Sequence, residues 1–312
     1  MKNVLVVGGA GFIGSYLCSK LLDKGCKVLC LDNLLRGKIS NISDLKKNKD
    51  FLFVKGDVNN EKKLIKLIEK FNIDFIFHLA ANSDIQFSAN NPGIEFECTA
   101  KTTWSVLSAM KKTGVKNLFF ASTSAVYGEQ LSGAFNEEDT LRPISYYGSA
   151  KMASEAFIRS FTYMNGFNSL VFRFPNVIGP NLTHGVFYDF IYRLKENPHE
   201  LQVLGNGTQK KPYMHVSDLV SAIIKYSEKN VGLNIYNIGV DSATDVKTIA
   251  EMVVREMDLK DCKIKYGKEN VGWKGDVPKF SYCLDKIHKT GWKPSMTSDE
   301  ASLATIKEAL GK

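Results

Sequence analysis

Short runs of apolar, β-branched and aromatic residues recur through the first half of the 312-residue chain, and segments with helical periodicity separate them. Strands that are almost continuously apolar are typical of sheets buried on both faces. Their alternation with helices predicts an α/β fold, with a doubly wound parallel sheet and right-handed crossovers. Ligands of such sheets bind at the carboxyl ends of the strands. The predicted strands are residues 4–7, 27–31, 51–54, 75–79, 118–121 and 170–174.

A glycine-rich segment joins the first predicted strand directly to a helix. This strand, turn and helix arrangement is the context in which a glycine motif binds a dinucleotide. Glycines let the backbone approach the pyrophosphate, and the helix N-terminus provides partial positive charge. Gly14 also allows the helix to pack closely on the strand. The predicted cofactor contacts in this segment are Gly8, Gly11, Phe12, Ile13 and Gly14.

The pattern becomes less regular in the second half, where glycine and proline interrupt shorter helical segments. Residues 215–239 nevertheless show a helical segment followed by a strand at 234–238, so we expect the chain to return to the sheet. The sequence therefore predicts an NAD-binding Rossmann domain over residues 1–175, with a return segment at about 215–240. A smaller, discontinuous part, mostly residues 176–312, is expected to bind the substrate.

An acidic residue, Asp32, ends the second predicted strand eighteen residues after Gly14. A carboxylate at this place can accept hydrogen bonds from the adenosine ribose hydroxyls. It would also repel a 2′-phosphate, so we expect NAD rather than NADP, with Asn33 as a further contact. Arg36 and Lys38 lie nearby and leave NADP open, and the alternative for Asp32 is a turn-forming residue.

A second acidic residue, Asp57, follows Gly56 at the end of the third predicted strand and precedes Val58. Side chains at this place can reach the adenine of a bound dinucleotide. An aspartate that follows a glycine is equally typical of a turn. Asp57 and Val58 are therefore predicted cofactor contacts, with a turn as the alternative for Asp57.

Tyr147 and Lys151 lie four residues apart at the start of a predicted helix, so their side chains share one face. An ammonium beside a phenol favours the phenolate and lowers its pKa from about 10, which lets tyrosine act as a base near neutral pH. The lysine can also hydrogen-bond the nicotinamide ribose. Taken alone, such a pair is more often a solvated helix pair.

Hydroxyl side chains cluster at the end of the fifth predicted strand, in residues 122–128. The nicotinamide of a bound cofactor should lie at this carboxyl edge. Thr123 can there hydrogen-bond the hydroxyl group that is oxidised, although a threonine can also simply cap a strand end. Its combination with the glycine loop and with Tyr147 and Lys151 favours a catalytic role.

The charge and cysteine content exclude other classes of protein. Lys and Arg exceed Asp and Glu by 41 to 33, a formal net charge of +8, but the lysines are scattered along helical segments. We therefore expect no nucleic-acid partner, and a basic surface suits a diphosphate substrate. The six cysteines form no CxxC pair, so no metal site is expected. Neither a secretory signal nor a membrane-spanning apolar run is found, so we expect a cytoplasmic protein without membrane contact.

Eight short motifs, in order and spread over essentially the whole chain, resemble the extended short-chain dehydrogenase/reductases. Within that group the match is to the NAD-dependent epimerase/dehydratase family, which includes UDP-glucose 4-epimerase-like nucleotide-sugar enzymes. The motifs are VGGAGFIGS at 7–15, LDNL at 31–34, GDV at 56–58, HLAA at 78–81, STSAVYG at 122–128, YYGSAK at 146–151, RFPNVIGP at 173–180 and HVSDL at 215–219.

The resemblance implies a role for further residues. Thr123, Tyr147 and Lys151 would form the catalytic trio, and all but the lysine would also contact the substrate. The loop after the fourth strand would lie beside the cofactor, with Leu79, Ala80 and Ala81 as cofactor contacts and Asn82 and Ser83 as substrate contacts. Asn176 would bind the diphosphate or the sugar. Family homodimers pair helices near residues 95–112 and 147–165, so the resemblance implies a homodimer or a higher homo-oligomer, and Trp104 could serve the interface or the core.

The resemblance also bears on the reaction. Family members that eliminate water or carbon dioxide usually carry an acid just after the catalytic Ser/Thr, and here those positions are Ser124 and Ala125. An elimination would therefore need a carboxylate from elsewhere in the chain. The remaining chemistry is oxidation at carbon 4 of a nucleotide-diphosphate sugar. If the resulting ketone is reduced on its other face, the enzyme is a 4-epimerase; if the ketone leaves, the enzyme is a 4-dehydrogenase.

Two departures leave the sugar and the nucleotide open. Lys211 stands where many relatives have a phosphate-binding arginine, and Trp273 and Lys274 stand where another arginine is expected. Lysine offers charge but not a bidentate fork. Lys211 and Lys274 are therefore predicted substrate contacts, and a GDP-linked or heptose substrate stays open. A catalytically silent NAD-binding redox sensor is a further alternative, against which the intact trio argues.

Overall fold

A computed structural model describes residues 1–82, 85–129, 133–268 and 280–312. Two compact units share these residues. Unit 1 comprises Met1–Gly128, Thr140–Arg173 and Val220–Tyr236, and unit 2 comprises Glu129–Asp139, Phe174–Leu219 and Asn237–Lys312.

The strands are short, as their alternation with helices predicts. In chain order they are β1 Asn3–Val7, β2 Lys27–Asp32, β3 Phe51–Lys55, β4 Phe75–His78, β5 Asn117–Thr123, β6 Asn168–Phe174, β7 Asn176–Ile178, β8 Glu200–Val203, β9 Lys210–Lys211, β10 Tyr213–His215, β11 Leu233–Asn237, β12 Thr244–Asp245 and β13 Lys263–Tyr266.

Besides the α-helices, the described residues form a π-helical turn at Phe96–Ala100 and short 3-10 helices at Ile39–Ile42, Leu45–Lys47 and Ser124–Val126. The α-helices are α1 Phe12–Asp23, α2 Glu61–Lys70, α3 Ile85–Asn90, α4 Gly93–Glu95, α5 Lys101–Thr113, α6 Tyr146–Asn165, α7 Val186–Glu196, α8 Val216–Ser227, α9 Val246–Glu256, α10 Asp285–His288 and α11 Ser298–Leu310.

Unit 1 is built on a seven-stranded parallel sheet in the order β11-β6-β5-β4-β1-β2-β3. The chain runs outward from β1 through β2 to β3, and then returns to the other side of β1 with β4. This reversal places the loops after β1 and β4 side by side at the carboxyl edge, where ligands of doubly wound sheets bind. The predicted fold class is confirmed.

Burial on both faces of the sheet explains the apolar strands. Leu5 and Val7 of β1 pack in one apolar cluster, with residues of the helices that cover that face, such as Leu64 and Val106. The residues that alternate with them on β1 are equally buried, so the opposite face is also covered.

Unit 2 has an apolar core of its own, in which helices α7, α9 and α11 meet short strand pairs. Phe187 and Phe190 of α7, Ile249 of α9 and Ile306 of α11 pack with Leu201 of β8 in one cluster. Strand β8 pairs with β13 and β7 with β10, in both cases parallel, whereas β9 and β12 are antiparallel. No helix in the described ranges is long and apolar enough to cross a membrane.

Candidate functional site

The segment that leads from β1 into the first turn of α1 can accommodate no side chain at two of its glycines. Gly8 has a φ of +83°, and a Cβ atom there would lie 2.7 Å from the backbone nitrogen of Ala80. At Gly14 a Cβ atom would lie 2.2 Å from the carbonyl oxygen of Gly8. Helix α1 begins at Phe12, and its N-cap, Gly11, makes no side-chain hydrogen bond. The loop is therefore a bare backbone cradle at a helix N-terminus, which fits a pyrophosphate.

Asp32 lies at the end of β2 beside this loop. Its Oδ2 accepts a hydrogen bond from the Ala10 amide at 2.9 Å, and its Oδ1 accepts one from the Leu34 amide at 2.8 Å. Burial raises the pKa of Asp32, and these two hydrogen bonds oppose the rise. The carboxylate thus shapes the turn, and each oxygen keeps a second lone pair with which it can accept a ribose hydroxyl. Asn33, next to it, is exposed.

The other predicted cofactor contacts follow β3 and β4. Asp57 is exposed, and its Oδ1 accepts a hydrogen bond from the Asn59 amide at 2.8 Å, as a turn aspartate does. Val58 is buried in the apolar core of unit 1. Leu79 continues the pairing of β4 with β1, since its amide donates to the Val7 carbonyl at 2.9 Å. Leu79, Ala80 and Ala81 are all partly buried.

A glycine also brings the start of α6 close to the end of β5. The hydroxyl of Ser145 caps α6 by accepting a hydrogen bond from the Gly148 amide at 3.1 Å. A Cβ atom at Gly148 would lie 2.3 Å from the carbonyl oxygen of Ala125, so the approach requires glycine. The approach brings Tyr147 to Thr123, and their side chains share a hydrogen bond.

Lys151 lies one turn further along α6 and is only 2% exposed. Its Nζ donates to the carbonyl of Ala121 at 2.7 Å and lies 5.8 Å from the ring centroid of Tyr147. Burial lowers the pKa of Lys151 to about 7. The structure thus brings the predicted trio of Thr123, Tyr147 and Lys151 together.

The sequence predicts that Lys151 lowers the pKa of Tyr147, but the structure does not show this effect. The pKa of Tyr147 is raised, first by burial and then by the negative charge of Glu95, and only its hydrogen bond with Thr123 lowers it. The physical reason is that the ammonium donates to the Ala121 carbonyl and is itself desolvated. The phenol is therefore protonated at neutral pH in the structure as it stands.

A buried ion pair joins Glu155, four residues after Lys151 on α6, to Arg173 of β6. Nη2 of Arg173 lies 2.6 Å from Oε2 of Glu155, and Nη1 donates to the Tyr127 hydroxyl at 2.9 Å. Ser122 also donates to Glu155. The charge of Glu155 raises the pKa of Lys151. Sequence reasoning missed this pair, although a glutamate four residues after the lysine on one helix face could have indicated it.

Glu95 is a second buried carboxylate that sequence reasoning missed. It is 2% exposed, and it accepts hydrogen bonds from Nδ2 of Asn82 at 2.8 Å and from the Thr99 hydroxyl at 3.0 Å. Oδ1 of Asn82 accepts a hydrogen bond from Nε of Arg36 at 3.2 Å. Asn82, a predicted substrate contact, is therefore buried within a polar network. No residue type near Glu95 in the sequence distinguishes it from the exposed Glu97.

The remaining predicted substrate contacts divide between unit 2 and positions outside the described residues. Asn176 begins β7 and is exposed, and Lys211 lies in β9 opposite Thr244 of β12. Ser83 and Lys274, together with Trp273, lie outside the described residues. Within the described ranges, no group of three or more His, Cys, Asp or Glu side chains is arranged to hold a metal ion.

An exposed aromatic surface lies on α5 and α6. Trp104 is 49% exposed and packs edge-on against Phe157 and Phe161 at centroid distances of 5.3 and 5.4 Å. Tyr163 and Met164, near the end of α6, are exposed as well. Large exposed apolar side chains on neighbouring helices are typical of protein interfaces.

Comparison with known proteins gives a consistent family. The family described as the NAD dependent epimerase/dehydratase family matches residues 4–239. A putative UDP-glucose 4-epimerase of Methanocaldococcus jannaschii is 30% identical, over 95% of each chain. The dTDP-D-glucose 4,6-dehydratase of Homo sapiens is 28% identical, over 98% of this chain and 89% of its own. The crystal structure of the UDP-glucose 4-epimerase of Thermus thermophilus in complex with NAD is 28% identical, with a TM-score of 0.87 over 99% of each chain.

Proposed function

Because the chain belongs to the NAD-dependent epimerase/dehydratase family, whose model matches residues 4–239, we propose that it is a nucleotide-sugar 4-epimerase. The observation that carries the proposal is the trio of unit 1, in which Tyr147 hydrogen-bonds Thr123 and Lys151 lies one turn further along the helix. Ser124 and Ala125 follow Thr123, so the acid that family dehydratases use at this point is absent from the sequence.

The cofactor is NAD. The backbone cradle formed by Gly8, Gly11 and Gly14 would hold its pyrophosphate, and Asp32 would accept hydrogen bonds from its adenosine ribose. Lys151 would hydrogen-bond the nicotinamide ribose. When bound, NAD supplies a hydride acceptor and a positive ring charge, which opposes the raised pKa of Tyr147.

Side chains of the protein, and not the cofactor, would transfer the proton. The phenolate of Tyr147, which the positive charge of bound NAD would favour, would take the proton of the carbon 4 hydroxyl as the hydride leaves that carbon, and a 4-keto sugar would result. Thr123 would hold the same hydroxyl by a hydrogen bond, which fixes it close to the phenol. Return of the hydride to the other face of carbon 4, and of the proton from Tyr147 to the oxygen, would invert carbon 4 with no net change of the cofactor.

Two further residues, Asn176 and Lys211, are proposed to bind the diphosphate. Asn82, whose side chain is buried and hydrogen-bonded to Glu95 and Arg36, would act on the sugar only by holding the loop after β4 in place. Lys211 offers a point charge where many family members have an arginine, and this difference favours a substrate other than UDP-glucose or UDP-galactose. A GDP-linked or heptose substrate is consistent with that choice.

We also propose a homodimer. The exposed Trp104 surface, with Phe157 and Phe161 beneath it, lies on the two helices that family homodimers pair. Its apolar area would be removed from water by the same surface of a second copy. Trp104→Glu should then shift the protein to monomers in sedimentation, whereas a monomeric wild-type protein would contradict this proposal.

The function is tested by incubating the purified protein with a panel of UDP-, GDP-, dTDP- and ADP-linked sugars. NADH absorbance and product structure by NMR are followed together. An inverted carbon 4 without net NADH supports the 4-epimerase. A 4-keto product with NADH retained or released would replace it with a 4-dehydrogenase, and tight NAD binding without turnover of any sugar would favour a redox sensor.

A further inference from the structure

Glu95 is a buried carboxylate beside the catalytic helix. It ends α4, directly before the π-helical turn, and both segments pack against α6. The Thr103 and Ser154 hydroxyls lie 3.0 Å apart and join α5 to α6 in the same layer. π-Helical turns are rare and frequently mark functional positions.

The hydrogen-bond donors that Glu95 uses are neutral. They are the amide of Asn82 and the hydroxyls of Thr99 and Ser88. A carboxylate that is 2% exposed and bonded to neutral donors is costly to ionise unless a cation lies close by. Burial accordingly raises the pKa of Glu95, and the positive charge of Lys151 lowers it.

Lys151 is likewise a buried charged group whose hydrogen-bond partner is neutral. Its ammonium is buried and donates to the carbonyl of Ala121, which carries no formal charge. Glu155 is the other carboxylate near it, but Arg173 already neutralises Glu155 at 2.6 Å. Glu95 is thus the carboxylate whose charge is not engaged by an arginine, and it contributes more than Glu155 to raising the pKa of Lys151.

We propose that Glu95 is a positioning residue, the buried counter-charge of Lys151. Thr99, whose hydroxyl donates to Glu95, accepts at its carbonyl a hydrogen bond from Ser154, which lies three residues after Lys151 on α6. The negative charge of Glu95 would favour the protonated forms of both Lys151 and Tyr147. The titratable groups that face this pair are Glu95 from the end of α4, Glu155 from α6 and His78 from the end of β4. The proposal rests on the proposed function only in taking Tyr147 as the base.

The test measures the ionisation of Tyr147 and needs no substrate. Each variant of the NAD-saturated full chain is titrated with alkali by tyrosinate absorbance against its own Tyr147→Phe partner, so the difference reports Tyr147 alone. Glu95→Gln should lower the midpoint by about one pH unit, since it removes a nearby negative charge. Glu95→Asp, which keeps the charge, should stay near the wild-type midpoint.

The matched control is Glu97→Gln. Glu97 lies two residues further on, is exposed and pairs with Lys101 at 2.6 Å, so its neutralisation should leave the midpoint unchanged. An unchanged or raised midpoint in Glu95→Gln, or an equal shift in Glu97→Gln, would overturn the proposal. Failure of the nucleotide-sugar panel with the expected shift present would instead count against the proposed function alone.

A second measurement covers the case in which Glu95→Gln is too unstable to titrate. Lys151→Met leaves the Glu95 charge buried without its partner, and adding Glu95→Gln removes that charge. The double variant should therefore unfold at a higher urea concentration than Lys151→Met alone. A double variant that unfolds at an equal or lower urea concentration would refute the counter-charge role.

Discussion

The glycine loop and the Tyr147–Lys151 face lie in the same unit, but they are built by different physical means. The loop depends on side chains that are absent, because Cβ atoms at Gly8 and Gly14 would collide with backbone. The Tyr147–Lys151 face depends on charges that are buried, and Glu95 changes the proton affinity of both groups. A steric requirement is local in sequence, whereas an electrostatic one joins residues that are far apart in sequence.

The largest effect on stability is expected from adding a methyl group at Gly14, in the first turn of α1. Gly14→Ala places a Cβ atom 2.2 Å from the Gly8 carbonyl oxygen, so α1 must move away from β1. We expect a loss of several kcal/mol of folding stability and of NAD binding. Thermal unfolding and calorimetric NAD titration measure both. The control is Gly93→Ala, where a Cβ atom has nothing within 4 Å and should be tolerated; equal behaviour of the two variants would break the steric account.

The Tyr147–Lys151 face should respond in rate and not in folding. Tyr147→Phe removes the base and preserves shape, so oxidation should fall by at least about a hundredfold while NAD binding is kept. Single-turnover NADH formation measures the change. Tyr146→Phe, at the exposed neighbouring tyrosine of the same helix, should behave as wild type. Near-normal turnover in Tyr147→Phe would remove the tyrosine from its assigned role.

A buried histidine in this region also predicts that the folding stability depends on pH. His78 is buried beneath the site, and burial lowers its pKa from 6.5 to about 3. Below pH 6.5 the unfolded chain binds this proton and the folded chain does not, so stability falls by about 1.4 kcal/mol per pH unit toward pH 3. Urea unfolding at pH 7 and pH 5 should show a smaller loss in His78→Gln than in the exposed His184→Gln. Equal losses would argue against a neutral buried His78.

The smallest effect is expected at Asp32, a buried carboxylate that hydrogen-bonds the glycine loop. Asp32→Ala removes the acceptor for the amides of Ala10 and Leu34, and with it the proposed acceptor for the ribose. NAD affinity should fall by about tenfold and discrimination against NADP should relax, since a charged hydrogen bond contributes about 1.5–3 kcal/mol. Calorimetric titration with both cofactors measures this. Asp44→Ala, at an exposed aspartate, is the control, and an unchanged cofactor preference in Asp32→Ala would exclude Asp32 from the site.

The fold and the outline of the site could be predicted from the sequence because their signals are local. The apolar strands, the glycine segment and the spacing of Tyr147 and Lys151 each lie within a short window. The protonation of Tyr147 could not be predicted, since its pKa is raised by burial and by Glu95, which is far from it in the sequence. Glu95 and Glu97 look alike in sequence, and only the fold separates them, since Glu95 is buried and Glu97 is exposed.

The roles of Lys211 and Asn176 show the same limit in unit 2. The sequence shows that a lysine replaces the usual family arginine at Lys211, and the structure places it in a short strand opposite Thr244. The choice of substrate depends on which groups of the nucleotide sugar Lys211 and Asn176 contact. They therefore stay predictions, which the nucleotide-sugar panel addresses.

An isotope label tests the proposed hydride transfer at carbon 4 of the sugar. A nucleotide sugar that the panel shows to be turned over is prepared with deuterium at carbon 4, and the product is examined by NMR and mass spectrometry. We predict that the deuterium stays on carbon 4 with inverted configuration and that no solvent proton enters there. Replacement of the deuterium by a solvent proton, or inversion at another carbon, would contradict the proposed transfer.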